Sequence, residues 1–429
     1  QLHLTWQVPA TNMHGFIGPG AQPDEIVKLP YWNLQKQSGA NRNIPFVALI
    51  NRNHHNRYTF GLIDQITDAT LNAELSEQTR SYHVDWQKPV PCDQPIVTNY
   101  WEEILFVSRA DTHWAEVLRA YVETVDRLWK QTKLSVPASA FEPVFCTWTA
   151  IHHDVDEDWI LRNAKLAADL GFKTWITDDG WFTDKASFAD YRYAGDWEPC
   201  EAKFPSFKRH VREVQEMGMR YILWVAPFMV GDASIAAKKY EHLMSTPVPN
   251  LYFSNLSPWH EQTTPYITNL LERLVTDYGL DGLKIDFVDS IHFDTERNPK
   301  ESSQSLGEAV YSTLKTAINR LAELKPDVLI EFRNTYANLA SRQLANIYRS
   351  SDVPINFILN RWQVTMLRLL TPDRAIHFDP ALWHQDDSDE NVAVHLINAI
   401  ISVPMVSIEL EVYPQSHYDL IRYWISFYN

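Results

Sequence analysis

The sequence predicts an α/β fold, a (β/α)8 barrel of the TIM type preceded by a partial antiparallel β-sandwich domain. Up to about residue 97, short alternating runs such as Phe46–Ile50 and Tyr58–Leu62 are broken by Asn, Gly, Pro and Asp, as in antiparallel sheets. From Val144 onward, eight β-type runs alternate with amphipathic helical stretches over about 290 residues, and a TIM barrel typically needs roughly 250. These two patterns predict the fold class.

The same patterns divide the chain into three parts. We expect a β-sandwich-like N-terminal domain over residues 1–110, a linker helix over 111–140 and the (β/α)8 barrel over 141–429. The linker is predicted to be helical because apolar residues recur at helical spacing between Thr112 and Lys133. A doubly wound open sheet is the alternative to the barrel, but no Gly-x-Gly-x-x-Gly turn follows its first strand.

Within the third part, short β-type runs and helical stretches follow one another in order. Strands are predicted over 144–148, 174–177, 221–225, 282–285, 328–332, 346–348, 375–377 and 400–406. Helices are predicted over 157–170, 206–217, 264–278, 307–324 and 420–428. Gly218 and Gly279 are the stop signals of the second and third helices.

Charge and hydropathy exclude several classes of partner. The chain has 38 Lys plus Arg against 54 Asp plus Glu, a formal net charge of −16 at pH 7. Nucleic acid is therefore not an expected partner, because phosphate binding relies on clustered Lys and Arg. The longest apolar stretch, over 396–410, is interrupted by Asn398 and Pro404 and falls short of the roughly 18 apolar residues of a membrane span. We expect no membrane partner.

Cysteine usage and the first residues bear on the compartment. The three cysteines, Cys92, Cys146 and Cys200, are an odd number at wide spacing, which fits neither a disulfide framework nor a zinc site. We expect reduced thiols. No targeting segment is visible in the chain, so the expected location is cytoplasmic, with a cleaved leader, secretion or a periplasmic location left open.

Charged side chains and one tryptophan lie at the predicted carboxyl ends of the barrel strands, where parallel barrels carry their catalytic groups. In strand order, these side chains are Asp178 and Asp179, Trp224, Lys284 and Asp286, Glu331 and Arg333, and Arg349 and Asp352. Carboxylates on the fourth and sixth strands can flank one bond, as glycoside hydrolysis requires. Lys284 faces the same side of its strand as Asp286 and favours an ionised carboxylate there, although a structural ion pair is an equal alternative.

A divalent metal site is the other use of such a cluster. The nearest approach to metal-ligand spacing is His152-His153-Asp154, but adjacent strand residues point to opposite faces. The chain also lacks His-Glu-x-x-His, a phosphate-binding loop and a Gly-x-Ser-x-Gly elbow. We therefore expect chemistry without a metal or an organic cofactor.

An ordered series of motifs gives these residues a family context. The series is Asp178-Asp179-Gly180-Trp181, Gly195-Asp196-Trp197-Glu198, Lys203-Phe204-Pro205, Gly218-Met219, Leu223-Trp224 and Leu283-Lys284-Ile285-Asp286. It resembles the α-galactosidase (melibiase) family of glycoside hydrolases, family 36. The resemblance covers the chain from about Val144 to its end. It implies a retaining, exo-acting hydrolase that removes terminal α-galactosyl residues from oligosaccharides.

The resemblance also implies roles for single residues. Asp286 is expected to be the nucleophile and Asp352 the acid/base. The remaining roles are substrate contacts: the C4 and C6 hydroxyls for Asp178 and Asp179, hydroxyls nearer the nucleophile for Lys284, the sugar face for Trp224, and a further contact for Arg349.

One departure from the family leaves the sugar open. Many members carry a Cys and a glycine-rich run after the fifth strand, near C2 of the sugar, where this chain has Glu-Phe-Arg-Asn-Thr-Tyr at 331–336. Arg333 is the expected replacement contact. The alternatives are an α-glycosidase or transglycosylase of different preference, such as an α-N-acetylgalactosaminidase or α-glucosidase, and an inactive carbohydrate-binding homologue. Barrel enzymes of this kind often form homo-oligomers, and the sequence leaves the oligomeric state open.

Overall fold

The computed structural model describes residues 2–18, 33–89, 102–185, 190–245, 247–248, 251–293 and 304–429. It confirms the predicted fold class, since two antiparallel sheets precede an eight-stranded parallel sheet flanked by helices. Cys146 and Cys200 are free thiols, and Cys92 lies outside the described residues. In the ranges given above, no helix is long and apolar enough to cross a membrane.

The N-terminal region contains two four-stranded antiparallel sheets. Its strands are β1 (Leu2–Pro9), β2 (Gly15–Ile17), β3 (Asn33–Ser38), β4 (Phe46–Ile50), β5 (Asn56–Leu62), β6 (Ala69–Ser76), β7 (Ser81–Lys88) and β8 (Leu105–Ser108). The strand orders are β1-β7-β6-β3 and β2-β4-β5-β8. Tyr82, Val84 and Trp86 of β7 are buried at every second position, as expected of a strand with one face in a core. Trp86 meets Phe60 of the second sheet at a centroid distance of 5.9 Å, so the two sheets share a core.

Helix α1 (Trp114–Leu128) joins the sandwich to the barrel. Its Tyr121 is buried and donates a hydrogen bond to the carbonyl of Leu62 at 2.6 Å. At the start of the helix, the Trp114 ring lies 6.0 Å from that of Trp362 in the barrel region. One apolar cluster therefore extends from the second sheet through α1 to the barrel. The exact domain boundaries stay a prediction.

Eight parallel strands form the barrel, and an additional hairpin follows the third. The strands are β9 (Val144–Cys146), β10 (Thr174–Thr177), β11 (Arg220–Val225), β12 (Met229–Gly231), β13 (Phe253–Asn255), β14 (Gly282–Ile285), β15 (Leu329–Arg333), β16 (Ile347–Arg349), β17 (Ala375–His377) and β18 (Met405–Val406). The sheet order is β17-β16-β15-β14-β11-β10-β9-β18, with β12 and β13 forming the hairpin. Parallel bridges from His377 to Val403 and from Ala381 to Val406 join the two ends of the sheet and close the barrel.

The helices cover the outside of this sheet. After α1 they are α2 (Trp148–Ile151), α3 (Glu157–Leu170), α4 (Phe207–Glu216), α5 (Ile235–Lys239), α6 (Thr263–Tyr278), α7 (Leu306–Leu324), α8 (Phe357–Leu370), α9 (Asp389–Ala399) and α10 (Gln415–Tyr428). The predicted starts have clear physical causes. Asp156 caps α3 by accepting from the amide of Trp159 at 2.8 Å, and Ser305 and Glu308 form a capping box on α7.

Some of the expected elements were wrong or missing. The strand expected over 400–406 forms only at Met405–Val406, because the turn after α9 occupies residues 400–402 and Val403 forms only an isolated bridge. Trp148, expected at the end of the first barrel strand, instead begins the short helix α2. Helices α5, α8 and α9 and the β12–β13 hairpin had no counterpart among the expected elements.

Candidate active site

Strand register brings the candidate side chains together at one end of the barrel. Trp224 pairs with Lys284, which in turn pairs with Glu331, across β11, β14 and β15. One row further along, Arg333 pairs with Arg349 across β15 and β16. Because these strands are parallel, all of these side chains lie at the carboxyl end of the barrel, where active sites of such barrels are found.

Asp286, directly after β14, is 7% exposed and tightly held. Its Oδ2 accepts a hydrogen bond from the indole Nε1 of Trp224 at 3.1 Å. Its Oδ1 accepts from the amide of Phe287 at 2.7 Å and lies 3.2 Å from the hydroxyl of Tyr336. Phe287 has φ +57°, a sparsely populated conformation for a non-glycine residue that is typical of functional sites. The carboxylate is therefore fixed in one orientation.

The surrounding cations keep Asp286 ionised. Burial acts to raise the pKa of this carboxyl, but Arg333, Lys284 and Arg349 together hold the pKa below its usual value. The nearest of them is Arg333, whose Nη2 lies 3.3 Å from Oδ1. An ionised carboxylate is the form that a nucleophile requires.

Asp352 lies at the mouth of the barrel, with its side chain 53% exposed. Its Oδ1 accepts from Nη2 of Arg349 at 2.9 Å, and its Oδ2 accepts from Nη1 of Arg333 at 3.1 Å. Burial of its inner side acts to raise the pKa, but the two arginines hold the pKa of Asp352 well below its usual range. One guanidinium, that of Arg333, thus contacts both candidate catalytic carboxylates.

Arg349 is fixed from beneath by further carboxylates. It is 3% exposed and donates a hydrogen bond from Nη1 to Oδ1 of Asp379. Its Nε lies 3.8 Å from Oε1 of Glu331, whose Oε2 is 2.6 Å from Nδ1 of His377. Burial raises the pKa of Asp379 to about 6, although Arg349 acts in the opposite direction. These buried charges hold the Arg349 guanidinium in place under Asp352.

The second aspartate pair, Asp178 and Asp179, follows β10 and is buried. Oδ2 of Asp178 accepts from the Lys284 ammonium at 2.5 Å. Oδ2 of Asp179 lies 2.8 Å from Nε2 of His153, and burial raises the pKa of Asp179. Oδ1 of Asp179 has no hydrogen-bond partner among the described residues, so this acceptor is available to a donor from outside the chain.

Gly180 permits the close packing behind this pair. Its φ is +102°, and a Cβ at this position would lie 2.6 Å from the Cα of His153. Only glycine fits such a left-handed turn against another backbone. The turn therefore holds His153 against Asp179 and fixes the direction of the carboxylate.

The structure changes the interpretation of Trp224 and of the histidines. Trp224 is 1% exposed and donates to Asp286, which leaves little of its ring to meet a sugar face. His153 pairs with Asp179, whereas the ring of His152 packs edge-on against Trp148 at 4.9 Å. Within the described ranges, no three His, Cys, Asp or Glu side chains are grouped so that they could hold a metal ion.

Three residues of this site were not among the sequence-based candidates: Tyr191, Tyr336 and Asp379. Asp379 follows β17 closely, so the strand-end rule could have identified it. Tyr336 lies in the short turn after β15. Tyr191 lies in the long connection between β10 and α4, where no sequence signal marks it, and its ring packs against that of Phe287 at 5.1 Å. Burial and the nearby aspartates raise the Tyr191 pKa.

The fold and the site together define a TIM-barrel protein whose mouth carries two aspartate pairs and three buried or half-buried cations. The family model described as Melibiase matches residues 130–343. The chain belongs to the melibiase family.

Known relatives agree with this assignment. An α-galactosidase of Escherichia coli is 32% identical over 124 residues, which are 28% of this chain and 17% of that enzyme. α-Galactosidase AgaA of Geobacillus stearothermophilus is 35% identical over 94 residues, 22% of this chain and 13% of that enzyme. The matched segments are thus a small part of either relative.

Solved structures share the fold over nearly the whole chain. A crystal structure of family 36 α-galactosidase AgaA from G. stearothermophilus with raffinose superposes with a TM-score of 0.73 at 16% identity, covering 99% of this chain and 62% of that one. The α-galactosidase TtGalA from Thermus thermophilus superposes with a TM-score of 0.66 at 18% identity, covering 99% and 89%. At these identities the likeness establishes the fold.

Proposed function

We propose that this chain forms the catalytic barrel of a retaining, exo-acting glycoside hydrolase that removes terminal α-galactosyl residues from oligosaccharides. The observation that carries the proposal is that Asp286, after β14, and Asp352, after β16, both contact the guanidinium of Arg333. Two carboxylates at a single bond are what glycoside hydrolysis requires. The names of the relatives, which are α-galactosidases, support the choice of sugar.

The reaction follows from the roles of the two carboxylates. Asp286 attacks the anomeric carbon while Asp352 donates a proton to the departing glycosidic oxygen, which gives a glycosyl ester on Asp286. Asp352, now ionised, then accepts a proton from water, and that water cleaves the ester. Trp224 and Tyr336 hold the Asp286 carboxylate in line with the sugar. No cofactor takes part in this scheme.

Sugar recognition is assigned to the groups around the nucleophile. Asp178 and Asp179 accept hydrogen bonds from the C4 and C6 hydroxyls, with the unpartnered Oδ1 of Asp179 as the clearest candidate acceptor. Lys284 and Arg349 contact hydroxyls nearer the anomeric carbon. We assign Trp224 to the positioning of Asp286 because its ring is almost completely buried.

A panel of nitrophenyl glycosides tests the function. α-Galactosyl, α-glucosyl, α-N-acetylgalactosaminyl and β-galactosyl substrates are compared, with Asp286→Asn as the inactive control. Turnover of the α-galactoside above the others is the expected result. Preference for another α-glycoside would assign a different sugar, activity on the β anomer alone would refute the mechanism, and sugar binding without turnover would indicate a binding homologue. A cytoplasmic location and homo-oligomerisation stay predictions, which cell fractionation and sedimentation measure.

A further inference from the structure

Arg333, at the end of β15, has more carboxylate partners than one sugar contact would require. Its Nη1 donates to Oδ2 of Asp352 at 3.1 Å. Its Nη2 lies 3.3 Å from Oδ1 of Asp286 and 3.2 Å from Oδ1 of Asp289. The guanidinium is 15% exposed and lies above the Phe287 ring at 5.8 Å. Arg333 therefore joins the candidate nucleophile, the candidate acid/base and a third carboxylate.

This arrangement conflicts with the chemistry expected of Asp352. A general acid must carry a proton near the working pH, yet both carboxylate oxygens of Asp352 accept from arginines. A cation within about 4–6 Å lowers a carboxyl pKa by roughly 1–3 units. Lys284 acts in the same direction, whereas Asp286 and the buried Asp379 oppose it. The net effect favours the carboxylate form of Asp352.

Only one of the two arginines is free to leave Asp352. Arg349 is 3% exposed and is fixed by Asp379 and Glu331 beneath the site. Arg333 is more exposed and has Asp286 and Asp289 as alternative partners. The Arg333 guanidinium can therefore turn away from Asp352 without losing all of its charge partners.

We propose that Arg333 is an electrostatic clamp that keeps Asp286 and Asp352 ionised in the protein without substrate, and that it must withdraw from Asp352 before that residue can donate a proton. Arg333 is thus a positioning residue that sets the ionisation of the catalytic pair. The proposal rests on the proposed glycosidase function. It differs from the expected C2 contact in predicting an effect on pH dependence.

The proton balance of the clamp is complete within the hydrolytic cycle. When the leaving group occupies the space beside Asp352, Arg333 stays with Asp286 and Asp289, and Asp352 takes one proton from solvent. Asp352 passes this proton to the glycosidic oxygen as the bond to the anomeric carbon breaks and Asp286 forms its ester. The Asp352 carboxylate that remains accepts a proton from the attacking water. It releases this proton to solvent when the product leaves, and Arg333 then binds the carboxylate again.

The clamp is tested by the pH profiles of Arg333→Gln and Arg333→Lys. The profile of kcat/KM reports groups in the free enzyme, and that of kcat reports groups in the complex. In the wild type, the alkaline limb of kcat/KM should lie at lower pH than that of kcat. In Arg333→Gln the bell-shaped kcat/KM profile should move to higher pH by about 1 unit. This is the low end of the roughly 1–3 units that a nearby cation produces, because Asp352 is half-exposed. The alkaline limbs of kcat/KM and kcat should then coincide. Arg333→Lys should keep the wild-type profile.

A matched control is Arg320→Gln, which removes an arginine paired with Glu272 on the outer helices and should leave both profiles unchanged. A higher KM for Arg333→Gln with unshifted profiles would overturn the clamp and leave a sugar contact alone.

Carbon NMR of aspartate carboxyls provides a readout that does not depend on turnover. With Asp352→Asn to identify the signal, the Asp352 carboxyl of the wild type should titrate clearly below the usual value of about 3.9, and that of Arg333→Gln should titrate higher. A wild-type midpoint at or above the usual value would overturn the clamp even if the variant fails to fold. A wild type that hydrolyses no glycoside would overturn the proposed function and the withdrawal step, while this titration still decides the clamp.

Discussion

Replacing Trp224 with Phe separates the two roles that this residue could have. The indole Nε1 donates to Oδ2 of Asp286 at 3.1 Å, and both side chains are buried. Phe keeps an aromatic ring against Phe182 and Phe287 but loses the donor. A hydrogen bond to a charged group contributes about 1.5–3 kcal/mol, and 1.36 kcal/mol corresponds to one pKa unit. Loss of this hydrogen bond should therefore destabilise the charged form of Asp286 and raise its pKa by about 1–2 units.

The direction of the pKa change follows because Trp224 donates its hydrogen bond to the charged form of Asp286. Surrounding cations and donors hold the pKa of Asp286 below its usual value, so removing a donor raises that pKa. The acidic limb of the kcat/KM profile should move to higher pH by about 1–2 units in Trp224→Phe, and activity should be lost first at low pH. Activity on nitrophenyl α-galactoside across pH measures this.

Trp197 supplies the matched control. It is buried, and its ring lies 5.8 Å from that of Trp224. Within the part of the chain that the structure describes, its Nε1 has no hydrogen-bond partner. Trp197→Phe therefore removes similar volume without removing a bond to the nucleophile, and its pH profile should match the wild type. A higher KM in Trp224→Phe with an unmoved acidic limb would refute the positioning role and restore the sugar-face role.

Three further predictions concern the aspartates and the buried charges. Asp286→Ala should abolish turnover on every glycoside and still bind galactose by calorimetry, because no glycosyl ester can form; substantial remaining activity would move the nucleophile elsewhere. Asp179→Ala should lower kcat/KM on α-galactosides by roughly 10- to 150-fold relative to α-glucosides, since it removes an acceptor for a buried hydroxyl. Asp179→Asn should lose less, and an unchanged sugar ratio with a lower melting temperature would indicate a turn-capping role. His377→Ala should reduce the free energy of unfolding by about 3–5 kcal/mol in urea, because it removes a partner of the buried Glu331; a loss below 1 kcal/mol would contradict this.

The barrel and the identity of the strand-end carboxylates were predictable because both follow from local patterns. Helix α3 begins at the Asp156 cap and ends at Gly171, and α6 ends at Gly279, signals that the sequence shows directly. Asp286 and Asp352 were identified as candidates because catalytic groups of parallel barrels follow their strands. Helix α9 was not among the expected elements, because its apolar run continues into residues 400–406 and such a run alone does not distinguish a helix from a buried strand.

Long-range geometry was not predictable from the sequence. The pairing of Arg333 with two carboxylates depends on the register between β15 and β16 and on the turn after β14. The burial of Trp224 depends on the rings of Phe182 and Trp197, which come from the connection between β10 and α4. Retention of configuration stays a prediction, with an expected separation of about 5–5.5 Å between the Asp286 and Asp352 carboxyl groups.

Trapping the glycosyl ester and locating it identifies the nucleophile directly. The protein is incubated with a fluorinated α-galactosyl fluoride that forms the ester faster than water cleaves it, and the peptides are then analysed by mass spectrometry. We expect one fluorogalactosyl group on the peptide that contains Asp286, attached to that residue. A label on Asp289 or on another carboxylate, or an unlabelled protein that releases the β anomer first from an α-galactoside, would contradict it.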